Sequence, residues 1–291
     1  MGPMRIIELF GRGAPVFSFE FFPPRTDQGF ETLFGTIADL KHLDPGFVSV
    51  TWGAGGSTRR KTIELVARIQ HEVGLTAMAH LTCVGSTREE IVSILDRLRD
   101  EGIENVLPLR GDPPKDQPDF RPVPGGFRFA NELLEFIHSR WDFCTPAACY
   151  PETHQEAPDP ETDLRNLVRK VRAGAAFLIT QLFFDNADYF GFVVRARAAG
   201  IAVPIVPGIM PITSGTNVPR IAKMCGSEIP AELQAAIDAA GGDAERIDAV
   251  GVEWATLQCR ELLARGAPGV HFYTLNRSPA TRRIHEALFP R

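Results

Sequence analysis

The segment Ser18-Phe19-Glu20-Phe21-Phe22-Pro23-Pro24 sets one carboxylate inside a run of aromatic residues. Alternate side chains of an extended strand point to opposite faces, so Ser18, Glu20 and Phe22 share one face and Phe17, Phe19 and Phe21 the other. The all-phenylalanine face suits a covering layer of helices, which leaves Glu20 on the side where a cavity would lie. A carboxyl beside Phe22 in a poorly solvated site is expected to have a raised pKa, as a general acid near neutral pH requires. Paired instead with an interior arginine, the same glutamate would be packing.

Other residues carry chemistry at similar places. Thr51 precedes Gly53-Ala54-Gly55-Gly56-Ser57-Thr58, a loop whose backbone N–H groups could meet an anion or a cofactor edge, with Arg59, Arg60 and Lys61 adding charge; a turn with a capping serine is the plainer alternative. His80 alternates with Met78 and Thr82 and faces inward either as a core histidine or as a functional one. Arg110-Gly111-Asp112-Pro113-Pro114 holds an acid in a proline-braced loop. Tyr150, Glu152 and His154 follow the next apolar run. Asp163, Asn166 and Lys170 then fall on one helix face with Arg169 beside it, suited to ribose and pyrophosphate or simply to solvent. Gln181 offers an amide that donates and accepts at once. Tyr273, Asn276 and Arg277 close the series. With no His-Glu-x-x-His and no carboxylates at ligand spacing, a metal site is not expected.

These groups need a scaffold that brings them to one end. Short β-prone runs at 16–21, 47–52, 76–83, 105–109, 143–149, 177–183, 203–209 and 269–275 alternate with amphipathic stretches at 28–43, 57–72, 87–101, 127–140, 161–175, 187–199, 217–266 and 278–288. Eight βα units close most economically into an α/β protein of the (β/α)8 TIM-barrel type, here with an extra helical insertion before the last strand. An open doubly wound sheet is the rival, but no Gly-x-Gly-x-x-Gly follows the first strand. With no linker or low-complexity tract, residues 1–291 read as a single catalytic domain. In such barrels catalytic groups sit at the C-terminal strand ends and the loops that follow, which is where Glu20, Thr51, His80, Asp112, Tyr150, Glu152, His154, Gln181, Tyr273, Asn276 and Arg277 fall.

Composition agrees. The 291 residues are 44% hydrophobic and 23% charged, the balance of a globular protein with a sizeable core. Thirty-one basic and 36 acidic residues give a net charge of −5, so neither nucleic acid nor an anionic membrane is expected as a partner. Five scattered cysteines without Cys-x-x-Cys pairing, no exporting N-terminal segment and no bilayer-length apolar run suggest the cytoplasm. Twenty phenylalanines against three tyrosines and three tryptophans suit a dry interior with few hydroxyls needing partners.

In order along residues 17–283, the chain resembles the methylenetetrahydrofolate reductase family, flavin-dependent TIM-barrel enzymes. The carriers are Phe19-Glu20-Phe21-Phe22-Pro23-Pro24, Thr51-Trp52-Gly53-Ala54-Gly55-Gly56, Ala79-His80-Leu81-Thr82-Cys83, Leu109-Arg110-Gly111-Asp112, Tyr150-Pro151-Glu152-x-His154, Thr180-Gln181-Leu182-Phe183-Phe184-Asp185, Pro207-Gly208-Ile209-Met210-Pro211 and Phe272-Tyr273-Thr274-Leu275-Asn276-Arg277. The resemblance implies reduction of 5,10-methylenetetrahydrofolate to 5-methyltetrahydrofolate, with noncovalent FAD relaying hydride from NADH or NADPH. It implies that Glu20 protonates the bridging amine, that Asp112 lies beside the flavin and the pterin, and that Gln181 contacts the pterin and the nicotinamide, with Tyr273 also at the substrate. Thr51, Trp52, Ala54, His80, Arg110, Gly111, Asp112, Tyr150, His154, Ala157, Asp163, Asn166, Arg169 and Lys170 match positions that hold FAD. Homo-oligomeric assembly is implied as well. Trp52 stands where a tyrosine is familiar, the stretch 125–137 matches poorly apart from Phe129-Ala130, and S-adenosylmethionine control is not expected. A ferredoxin or a partner flavoprotein as donor is the second enzymatic reading, and a folate- or flavin-binding subunit without turnover the non-enzymatic one.

Overall fold

The computed structural model of the chain describes residues 4–24, 26–52, 56–112, 123–277 and 279–289 and, for residues 56–60, the backbone alone. After a 3-10 turn (Ile6–Leu9) come β1 (Val16–Phe21), α1 (Asp27–Lys41), β2 (Phe47–Val50), α2 (Gly56–Arg68) with a π-helical end (Ile69–Val73), β3 (Ala77–Thr82), α3 (Arg88–Asp100), β4 (Asn105–Leu109) and α4 (Ala130–His138). The chain continues through β5 (Ala147–Cys149), α5 (Pro160–Arg172), β6 (Leu178–Thr180), α6 (Asn186–Ala198), β7 (Ile205–Val206), β8 (Gly208–Ile209), α7 (Asn217–Cys225), α8 (Ala231–Ala239), α9 (Ala244–Ala264), β9 (Gly269–Tyr273) and α10 (Pro279–Leu288).

All pairings are parallel: one sheet runs β4-β3-β2-β1-β9-β8 and the other β5-β6-β7. The two sheets are parts of one closed wall. Between β7 and β8 stands Pro207, which has no N–H to continue a ladder, so a single seventh strand is split in two. The Thr180 hydroxyl covers the gap by accepting from Gly208 N at 2.9 Å, while the Pro207 carbonyl accepts from His271 N at 2.9 Å. On the opposite side a lone bridge joins Asn105 to Cys144, ahead of β5. The result is the expected (β/α)8 barrel.

Phe17, Phe19 and Phe21 pack outward into the core shared with the helices, as their alternation predicts. A second core of Val16, Phe47, Met78, Leu107, Phe177 and Val206 fills the N-terminal end of the barrel, and Ile6 joins it from the opening turn. Buried Asn105 ties that turn down, accepting from Ile6 N at 2.8 Å and donating to the Met4 carbonyl at 2.9 Å. This end is closed, so ligands must enter at the other.

Helix starts follow their caps. Thr87 and Glu90 form a reciprocal capping box on α3, and Asp159 and Asp185 cap α5 and α6. The helical stretch expected over 217–266 is divided into three helices. Gly226 at φ 74° ends α7, Pro230 opens α8, and Gly241 and Gly242 at φ 63° and 83° precede the Asp243 cap of α9. Left-handed glycines end helices more strongly than periodicity continues them. Strands expected to run through 52, 83, 183 and 275 stop at Val50, Thr82, Thr180 and Tyr273, where the loops leave the ladder; the fifth begins at Ala147 rather than 143.

Candidate active site

Strand register brings the reacting groups together. Glu20 lies between Ser49 of β2 and Tyr273 of β9 in the ladder, while Ser18 lies beside His271. Glu20 Oε2 stands 3.4 Å from His80 Nε2 and 3.5 Å from His271 Nε2, with its side chain 18% exposed. His271 is fully buried, stacks on Phe47 and places Nδ1 2.8 Å from the Ser18 hydroxyl. Thr274 anchors the strand by donating to the Glu20 carbonyl at 2.6 Å.

The expected raised pKa of Glu20 is not found. Burial pushes the carboxyl up, but the hydrogen bond to His271 and the charges of His80 and His271 together pull it below the usual carboxylate range. Phe22, expected to wall off the carboxyl, is 44% exposed, its backbone clamped by Asn276 through bonds of 2.9 and 2.8 Å. The reading from Phe22 failed because the true neighbours are imidazoles from two other strands. The carboxylate thus has an imidazole from each of two other strands within 3.5 Å.

Burial holds the His80 imidazole below its ordinary value of 6.5, although the Glu20 charge pulls the other way. The unfolded chain therefore takes up the proton first as pH falls below about 6.5, and stability rises with pH across that window. The depressed Glu20 acts in the same sense lower down, its contribution being present above the ordinary 4.5 and lost as pH falls through the folded value. The ligand-free protein is expected to show a falling denaturant midpoint from pH 7 to pH 5, and His80→Gln to flatten that slope. A midpoint indifferent to pH over this range contradicts the assignment.

Beside the carboxylate lies a second group of polar atoms. Trp52 Nε1 is buried without a hydrogen-bond partner, whereas the buried His80 Nε2 and the Ser49 hydroxyl face the Glu20 carboxylate. The orphaned Trp52 nitrogen is costly unless a ligand satisfies it. Ala54 lies outside the described residues, as do Gly53 and Gly55; Thr51 is half-buried. Gly111 has φ +86°, and a Cβ there would come within 2.5 Å of Val84, so only glycine lets β4 leave the barrel this way. Arg110 Nε donates to the Gly111 carbonyl at 3.1 Å. Asp112 is exposed, and its charge reaches Arg110, Tyr150 and Cys225.

Tyr150 and His154 meet edge to face at 4.6 Å, His154 N donates to Asp163 at 3.0 Å, and Ala157 N to the His154 carbonyl at 2.8 Å. Lys170 reaches back to the Ala148 carbonyl at 2.9 Å, 5.8 Å from the Tyr150 ring. Tyr150, Asp163 and Lys170, among others, line a small open pocket. Asn166 and Arg169 bond to one another at 3.0 Å on α5 and do not line it. Gln181 Oε1 accepts from Leu182 N at 2.9 Å, which leaves Nε2 without a partner among the described residues. Tyr273 donates to the Thr180 carbonyl at 2.6 Å, across Gly208.

Three residues at this end were not anticipated: Ser49, His271 and Glu156. His271 alternates with Tyr273 on β9, so period-two reading of that strand would have found it. Glu156 carries no such signal, since its partner Arg110 belongs to another loop.

The fold and site define a parallel βα barrel with a carboxylate set between two imidazoles at its C-terminal mouth. The family model described as methylenetetrahydrofolate reductase matches residues 5–289, and the chain belongs to that family. Among its relatives, "Methylenetetrahydrofolate reductase (NADH) 1" of Arabidopsis thaliana is 43% identical over 283 residues, covering 94% of this chain and 48% of that protein. The "5,10-methylenetetrahydrofolate reductase" of Escherichia coli K12 is 39% identical over 274 residues, covering 93% of this chain and 90% of that protein. The chain thus spans about half the length of the plant relatives. A Clostridium thermocellum protein described as binding two copies of 5-methyl-5,6,7,8-tetrahydrofolic acid shares the fold, with a TM-score of 0.64 at 13% identity over 98% of this chain and 97% of that one. No helix among the described residues is long and apolar enough to cross a membrane.

Proposed function

We propose that this barrel is a cytoplasmic catalytic domain that reduces 5,10-methylenetetrahydrofolate to 5-methyltetrahydrofolate, with FAD held noncovalently and NADH as donor. The observation that carries this reading is the Glu20 carboxylate flanked by His80 and His271 at the open end of the barrel. The unpartnered Trp52 nitrogen and the polar lining beside Tyr150, Asp163 and Lys170 suit the polar groups of a cofactor. Thr51, Trp52, His80, Arg110, Gly111, Asp112, Tyr150, His154, Ala157, Asp163 and Lys170 would hold it, with Asn166 and Arg169 at the α5 edge. FAD, when bound, supplies hydride transfer between the nicotinamide and the folate.

The rest is work for the chain. Glu20 delivers a proton to the bridging amine of the folate, so that the ring opens to an iminium able to accept hydride. At rest His271 and His80 favour the charged carboxylate, so the proton must reach Glu20 Oε2 once the folate is bound. A bound substrate removes water and adds to the burial that already pushes this carboxyl up, which makes it a better donor. Gln181 offers its free Nε2 to the pterin, and Tyr273 walls the pocket on the β9 side. Assembly into a homo-oligomer belongs to the same proposal.

The visible spectrum tests it. Gently purified protein is expected to be yellow, to bleach with NADH without oxygen and to regain its colour on adding methylenetetrahydrofolate. Bleaching only with reduced ferredoxin would move the donor assignment, and colourless protein that takes up no added FAD would sink the reading.

A further inference from the structure

Arg110 is expected at the cofactor, yet every nitrogen of its guanidinium is already committed. Nε donates to the Gly111 carbonyl, Nη2 donates to Glu156 Oε1 at 2.8 Å, and Nη1 donates to Glu156 Oε2 in the second arm of a bidentate pair. An ordinary surface ion pair contributes little, but a bidentate pair on a half-buried arginine fixes both the plane of the guanidinium and its charge. Arg110 belongs to the β4–α4 loop and Glu156 to the β5–α5 loop, so the contact ties together the two loops that carry the cofactor candidates Arg110, Gly111, Asp112, Tyr150, His154 and Ala157.

The other end of Glu156 also acts on the site. Its backbone N–H donates to His154 Nδ1 at 3.1 Å. In the neutral imidazole this puts the proton on Nε2 and makes that nitrogen a donor. Burial lowers the His154 pKa, which favours the neutral ring. Its neighbour Gln155 faces the other way, donating to the Lys223 and Met224 carbonyls at the end of α7 at 3.0 and 3.1 Å. Adjacent residues of one loop therefore hold two different parts of the mouth.

We propose that Glu156 is a positioning residue for the flavin: it holds the Arg110 guanidinium against Gly111, cancels its charge beside the cofactor and sets the tautomer of His154. This rests on the proposed function, in which Arg110, Gly111 and Asp112 lie along the flavin. With Glu156 neutralised, the Arg110 cation loses its bidentate partner and keeps only the more distant Asp112 charge, so the anionic reduced flavin gains over the oxidised form.

The test uses the FAD-loaded full chain as wild type, Glu156→Gln and Gln155→Ala, with FAD affinity and flavin midpoint potential as readouts. Glu156→Gln is expected either to raise the potential by about 30 mV, a tenfold gain of reduced over oxidised flavin for a two-electron couple, or to fold normally and hold FAD at least tenfold more weakly. Gln155→Ala is expected to leave both quantities at wild-type values. Adding Arg110→Gln to Glu156→Gln removes the cation and should return the potential toward wild type. Wild-type affinity and potential in Glu156→Gln, whatever happens to its melting temperature, overturn the proposal and leave a merely structural ion pair. Should Glu156→Gln fail to fold, Glu156→Asp, which keeps the charge but shortens the reach, replaces it, with weakened FAD binding expected and unchanged FAD binding decisive against. A wild type that binds no FAD would instead defeat the proposed function, so the two failures are distinct.

Discussion

Glu20→Gln is expected to leave flavin reduction by NADH within about twofold of wild type while cutting folate reduction roughly 10²–10⁴-fold, the usual contribution of a positioned general acid. Glutamine keeps the shape of the side chain and its place between His80 and His271 but has no proton of the required acidity to give. In the proposed reaction the two half-reactions share one site yet differ in need: hydride can leave the nicotinamide without a proton donor, whereas the bridging amine of the folate must be protonated before its ring opens. Stopped-flow measurement of each half-reaction separates them. Equal loss in both would mean that the carboxylate holds the site together rather than supplying a proton. The depressed pKa of Glu20 sharpens the test. Because His271 heads the interactions that lower it, a proton lodged in the cluster lies on a short path to the carboxylate.

Gly208→Ala is expected to be the most damaging single methyl near the site. A Cβ at this position would stand 2.4 Å from the Thr180 carbonyl and 2.6 Å from the Tyr273 ring. Neither can yield cheaply. The carbonyl accepts the Tyr273 hydroxyl, and the Thr180 side chain accepts the Gly208 N–H that holds the split seventh strand to β6. Overpacking of this kind costs about 1–3 kcal/mol, and here it also swings Tyr273 away from the wall beside Glu20. Denaturant unfolding should show the loss of stability, and steady-state assays a rise in the folate KM together with a fall in kcat. Tyr273→Phe, which loses only the hydroxyl, should be milder on both counts. Wild-type stability for Gly208→Ala would show that the seventh strand can shift to make room, and that Gly208 is not what keeps Tyr273 in place.

Much of this site was legible along the chain, because strand alternation and strand-end position are local properties. Glu20 facing the cavity, Phe17, Phe19 and Phe21 facing the helices, and Gln181 and Tyr273 at strand ends all follow from a period of two and from where runs stop. Eight alternating units implied a barrel for the same reason. Where local rules competed, the stronger one had to be weighed: the stretch 217–266 keeps a helical period, but its left-handed glycines break it into three.

What only the tertiary structure decided is which side chains meet across strands far apart in sequence. Parallel register sets His271 beside Ser18 and within reach of Glu20, some 250 residues away, and that contact reverses the expected shift of the carboxyl. The pairing of Glu156 with Arg110 likewise joins two loops that no periodicity links. A pKa depends on the field at one point in space, summed over every element that passes near it. Sequence order determines the direction in which Glu20 points, and barrel closure determines what it finds there.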